Sequence, residues 1–301
     1  MTEHIVVGYD GSENSDRALD WAIPEAAALS AQLRVVVSVG SPAAANPSIY
    51  GSFLEAMEEE ARKFADRAVA RAQEHGTNAV GVVERGDAAQ VLIERSETAS
   101  ALVLGKRGRH GMRGRMGSVS AAAAAHAKCP VVVLPGRWRS DTQASRADAH
   151  PFARRVVVGV DRLGADNPAI AAAARYAQRH GRGLTLLTVV PEATTTSTGS
   201  VDLDRAIREQ LLDPAQAMVD YVAGAIRSRY PELPVETFVL FGVPREQLVK
   251  AGRSAELVVV GSRGYGGFRG LLMGSVSQAV LNEGESPVMV IATGKGSGPP
   301  F

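Results

Sequence analysis

Short runs of β-branched and aliphatic residues alternate along the chain with longer stretches of helical character. This is the pattern of a parallel α/β sheet covered on both faces. In the first half the runs predict strands over Ile5 to Tyr9, Leu33 to Val39, Ala79 to Glu84, Ala101 to Leu104 and Val131 to Leu134. In the second they predict strands over Arg155 to Val160, Leu184 to Val190, Val235 to Leu240, Leu257 to Val260 and Val288 to Ile291. Helices are expected over Ser15 to Leu29, Phe53 to Glu74, Ala88 to Glu97 and Val119 to Ala127, with counterparts starting near Pro168, Pro214, Pro244 and Val276. A proline in a first helical turn loses no needed N–H bond. Loops are expected over Ser41 to Gly51 and over Thr194 to Ser200.

The two halves are copies of one unit. Val6-Val7-Gly8-Tyr9-Asp10 returns 151 residues later as Val157-Val158-Gly159-Val160-Asp161, and Gly117-Ser118-Val119-Ser120 returns 157 residues later as Gly274-Ser275-Val276-Ser277. The order of landmarks is kept, which implies a repeated domain of about 140 residues. The expected organisation is a first domain over 1–136, a linker over 137–152, a second domain over 153–294 and a flexible tail over 295–301. Each domain is expected to be a Rossmann-like, five-stranded parallel sheet with helices on both faces.

Composition narrows the partners. With 33 basic and 32 acidic residues among 301, the charge gives no reason to expect a nucleic-acid or membrane partner. The single Cys129 has no internal partner for a disulfide, and the first residues run into a strand without a leader-like apolar segment, so a reducing cytoplasm is expected.

The candidate chemistry lies in glycine-rich loops that follow the fourth strand of each half. Such a loop lets backbone N–H groups converge on phosphate while the next helix adds partial positive charge. No Gly-x-x-x-x-Gly-Lys-Ser/Thr string occurs, and Gly264-Tyr265-Gly266-Gly267-Phe268-Arg269 fails the dinucleotide spacing at its sixth position. What stands is Gly261, two residues, Gly264, nine residues, then Gly274-Ser275, joined to the Val-Gly-x-Asp that ends the first strand of the same half. With Val189 and Ser286-Pro287-Val288, this combination resembles the universal stress protein family, as a tandem pair of its domains.

The resemblance implies ATP as ligand, with or without Mg2+, held beyond the carboxyl ends of the first and fourth strands. Asp10 and Asp161 would then meet ribose or adenine, and Val39 and Val189 would contact adenine. The remaining implied contacts in the first half are Gly8, Gly105, Gly108, Gly117, Ser118 and Val119. In the second half they are Gly159, Gly261, Ser262, Arg263, Gly264, Gly266, Gly267, Gly274, Ser275, Val276 and Ser277. Plainer roles compete with these: glycines that only turn the chain, aspartates that cap a turn or helix, and valines that end a buried strand as core.

The halves depart from the family pattern in different places. Gly108 and Gly117 are separated by eight residues instead of nine, which puts the phosphate grip of the first half in question, although Lys106, Arg107, Arg109, Arg113 and Arg115 surround it. In the second half, Arg162 to Asp166 replace the Gly-Ser that follows Asp10. The six histidines are scattered, Cys129 reads as packing, and Ser118 and Ser275 lack a Gly-x-Ser-x-Gly setting, so no catalytic constellation is expected. The resemblance implies a nucleotide-dependent regulator in stress response or growth control with an unidentified protein partner, and pairing between its own halves and association with a second copy are expected. The alternatives are an interaction scaffold with degenerate sites and a slow ATPase.

Overall fold

Strand after strand is apolar at consecutive positions because helices cover both faces of its sheet, and Val6, Val7, Leu102, Val103, Val157, Val158, Val258 and Val259 are all fully buried. The computed structural model describes residues 3–40, 47–108, 116–139, 150–161, 167–191, 201–263 and 273–292, which form two compact units. The expected tail and residues 140–149 of the expected linker lie outside the described residues. Trp138 and Phe152, at the two ends of that linker, are buried.

In the first unit, β1 (His4–Gly8), β2 (Gln32–Val39), β3 (Ala79–Arg85), β4 (Ala101–Gly105) and β5 (Val131–Leu134) form a parallel sheet in the order β3-β2-β1-β4-β5. Val7 pairs with Val35 on one side and Val103 on the other. The order therefore reverses between β1 and β4. Helices α1 (Glu13–Leu29) and α2 (Pro47–Glu74) contact each other on one face, and α3 (Ala88–Arg95) and α4 (Ser118–His126) contact each other on the other. On the first face Val37 and Val39 pack against Ala61 and Ala65 of α2. Arg71 of α2 pairs with Asp20 of α1 at 2.5 Å, and partial burial pushes the Asp20 carboxyl above its ordinary value.

The second unit repeats the plan. Its strands β6 (Arg155–Gly159), β7 (Gly183–Val190), β8 (Val235–Phe241), β9 (Leu257–Gly261) and β10 (Val288–Ile291) run parallel in the order β8-β7-β6-β9-β10. Helix α5 (Pro168–Arg179) packs on β6 and β9, and α6 (Val201–Arg229) on β7 and β8. Helices α7 (Pro244–Ala251) and α8 (Ser275–Glu283) pack together.

Two helices begin earlier than the sequence pattern indicates. Helix α2 opens at Pro47, inside the segment expected to be a loop, because a proline at a first turn forfeits nothing. Helix α6 runs from Val201 through Pro214, where a start was expected. Pro214 is exposed and removes one N–H bond, while Leu211 and Leu212 before it remain half-buried, so the helix continues across it.

Candidate functional site

In the first unit the carboxyl end of β1 is extended by one more ladder bond, as the Tyr9 N–H donates to the Val36 carbonyl at 2.9 Å. Asp10 then turns the chain: its Oδ1 accepts the Ser12 N–H at 3.0 Å, and Gly11 takes the left-handed conformation with φ 72. Ser12 caps α1 by accepting the Ser15 N–H at 3.3 Å. The Tyr9 hydroxyl donates to Asp16 Oδ1 at 2.6 Å; burial, and then that bond, push its phenol well above the ordinary value.

Beyond β4 the chain leaves and returns to one point. The Lys106 carbonyl accepts both the Gly117 N–H at 2.8 Å and the Ser120 hydroxyl at 2.9 Å, which fixes where α4 starts. No side chain among the described residues caps that start. Its first-turn N–H groups and their partial positive charge are therefore available to an anion.

Gly105 and Gly108 are required by what surrounds them. A Cβ on Gly105 would lie 2.5 Å from the Asn14 carbonyl oxygen, and one on Gly108 would lie 2.6 Å from Asp10 Oδ2. The first glycine lets α1 approach β4, and the second lets the loop pass over Asp10.

These elements enclose a cavity of about 530 Å3. Toward the loop and helix that follow β4 it is lined by Asp10, Gly105, Arg107, Gly108, Met116, Ser118, Val119 and Ser120, and toward β2 and α3 it is mostly apolar, lined by Val36, Ser38, Ala88 and Leu92; Tyr9, Ser15 and Leu104 also line it. Gly8 and Gly117 also line it, so seven of the residues named from the sequence come together here. Val39 does not. It points to the opposite face, in the cluster with Ala61 and Ala65, because side chains alternate along a strand and Ser38 takes the cavity position. Val36, Ser38, Ala88, Leu92 and Leu104 were not foreseen as lining residues, and Arg107 was noted only as part of a basic loop. A polar residue interrupting the otherwise apolar run Val35 to Val39 was the available signal for Ser38.

The second unit keeps the same framework. The Val160 N–H donates to the Leu187 carbonyl at 2.9 Å, and exposed Asp161 follows at the strand end. The Gly274 N–H donates to the Ser262 carbonyl at 2.8 Å, matching the bond made by Gly117, and α8 also starts without a side-chain cap among the described residues. Ser275 is exposed and Val276 half-buried at that start. Ser277 is buried and donates to the Gly261 carbonyl at 2.6 Å, which pins the helix. Ser262 is buried, while Arg263 is exposed. A Cβ on Gly159 would lie 3.1 Å from Leu248. Gly264, Gly266 and Gly267 lie outside the described residues. Strand register makes Val189 the counterpart of Ser38, and Val190 the counterpart of Val39. The two valines named from the sequence are thus not equivalent positions.

Cys129 is buried, and burial pushes its thiol up to about 12, so it remains protonated and unreactive at neutral pH. Among the described residues no group of three or more His, Cys, Asp and Glu side chains is placed to hold a metal, and no helix is long and apolar enough to cross a membrane.

Comparison with known proteins agrees with this architecture. The model of the Universal stress protein family matches residues 1–135 and 153–292. A universal stress protein of Mycobacterium tuberculosis (strain ATCC 25618 / H37Rv) is 33% identical over 301 residues, covering 95% of this chain and 96% of that protein. One from Mycolicibacterium smegmatis is 32% identical over 296 residues, with 95% and 96% covered. Among solved structures, a universal stress protein from Archaeoglobus fulgidus DSM 4304 shares the fold with a TM-score of 0.68 at 20% identity, covering 98% of this chain and all of that one, 100%.

Proposed function

The chain belongs to the universal stress protein family as a tandem pair of its domains, and from that premise we propose that it is a cytoplasmic regulator that binds ATP and responds to its occupancy. The observation that carries this reading is the first unit's cavity, which sits where the strand order reverses and lies in the size range of small-ligand sites. Toward the loop and helix after β4 it offers Asp10 to a ribose, the α4 start to phosphate, and Arg107 to the outer phosphates. Its mostly apolar side offers a slot for a base. Mg2+, where it accompanied ATP, would be held chiefly by phosphate oxygens and water, since no cluster of three or more His, Cys, Asp and Glu side chains is placed to hold a metal among the described residues. Nucleotide occupancy then biases which protein partner is engaged during stress.

Ser118→Glu tests the phosphate assignment without unfolding the site. Ser118 is exposed in the first turn of α4, where a carboxylate is favoured by about 0.5 kcal/mol through the helix dipole but repels a phosphate. Calorimetric titration of the full chain should show ATP binding to the first unit weakened by tenfold or more, with thermal stability unchanged or slightly higher. Undetectable binding of ATP to the unaltered chain at millimolar concentration overturns the proposal.

A further inference from the structure

On the β2 side of the first unit's cavity stands the Ser38 hydroxyl, and its proton is already committed. Ser38 Oγ donates to the Gly86 carbonyl at 2.7 Å. Gly86 is held with φ 142, a conformation reserved for glycine, and its own N–H donates to the Val39 carbonyl at 3.0 Å, so this carbonyl is fixed in place. A hydroxyl that spends its proton in this way faces a ligand as an acceptor only.

The position of Ser38 matches a base edge. Strand β1, which Asp10 follows, lies between β2, carrying Ser38, and β4, whose loop and following helix form the end proposed for phosphate. Two strand spacings, roughly 10 Å, separate the Ser38 side from the glycine loop, about the reach of a nucleoside. In the second unit the corresponding place is taken by Val189, which has no polar atom to offer, and the neighbouring wall changes from Val36 and Ala88 to Leu187 and Pro244.

We propose that Ser38 is a specificity-determining residue of the first unit, accepting a hydrogen bond from the exocyclic amino group of a 6-aminopurine and disfavouring a 6-oxopurine. The inference rests on the nucleotide-binding reading above. A 6-oxo group is itself an acceptor, so it meets lone pair against lone pair. Turning the Ser38 hydroxyl toward it would strip the partly buried Gly86 carbonyl of this partner, a loss worth about tenfold in affinity. The second unit, with Val189, does not discriminate in this way.

The test compares ATP with ITP, which differ at purine position 6, by calorimetric titration of the full chain carrying Ser275→Glu to remove phosphate binding by the second unit. In that background ATP should bind about tenfold more tightly than ITP. Ser38→Val, which installs the second unit's own residue, should bring the two within about twofold, chiefly by weakening ATP, and Ser38→Thr, which keeps the hydroxyl, should retain the preference. Equal binding of ATP and ITP with Ser38 intact overturns the inference, as does a preference that survives Ser38→Val. Failure of both nucleotides to bind overturns the nucleotide reading itself, a different result from binding without preference.

Discussion

At the scale of single residues, neighbouring glycines of one site do different work. Gly105 faces the backbone of Asn14, which has no freedom to retreat, whereas Gly8 faces the tips of Leu92 and Leu104, where an added Cβ would lie 2.9 and 2.5 Å away. Side-chain tips can rotate aside. Gly105→Ala is therefore expected to destabilise the chain by about 2 kcal/mol, the cost of overpacking against rigid structure. Gly8→Ala should cost less than half of that in chemical denaturation, yet weaken nucleotide binding, because the displaced leucines move into the cavity. Equal losses of stability for the two variants would contradict this distinction. The spacing of glycines in the sequence identifies both positions but cannot tell them apart, since what a glycine must avoid is contributed by elements far away in the chain. The same holds for Val39 and Ser38: composition favours the valine as an apolar contact, and only the register of β2 against β1 decides which side chain reaches the cavity.

Elements were more legible than residues. The ten strands lie within one residue of the bounds that apolar runs suggest at either end, because strands buried on both faces leave a continuous signal. The two early helix starts have opposite causes: α2 begins at a proline that reads as part of a loop, whereas α6 carries internally a proline that reads as a beginning, which a helix tolerates where the crowded side faces solvent. One strand-level device was missed altogether. Arg155, opening β6, donates to Thr185 Oγ1 at 2.8 Å and to the Leu184 carbonyl at 2.8 Å in β7, and pairs with Glu236 of β8 at 3.0 Å. Gly183 makes room for it, since a Cβ there would lie 2.6 Å from the guanidinium. The first unit has His4 and Gln32 in the corresponding places. Arg155→Met should lower stability by about 2 kcal/mol by leaving partly buried acceptors unmet, while Glu236→Gln, itself the more exposed member of the pair, should cost under about 1 kcal/mol. Denaturation midpoints of the two variants check the order.

On the scale of the whole molecule, repetition supplies two frameworks, and divergence makes their candidate sites unlike. Both units place an aspartate after the first strand and, after the fourth, a helix start without a side-chain cap among the described residues, so the full chain is expected to carry two nucleotides, with unequal affinity because Val189 takes the place of Ser38 in the second unit. Native mass spectrometry at ATP just sufficient to fill the unaltered chain should count two per chain, and close to one when either Ser118→Glu or Ser275→Glu is present. A count of two in both variants would remove the helix starts from the phosphate sites. The shared bond that closes each loop, Gly117 to Lys106 and Gly274 to Ser262, both at 2.8 Å, has a wider meaning. It makes the segment between its ends an interchangeable cassette: eight residues or nine separate the second glycine from the third, and the helix that follows starts from the same anchor. Loop length and loop chemistry can therefore drift independently of the fold, and a duplicated chain can retune one site while the other keeps its original ligand.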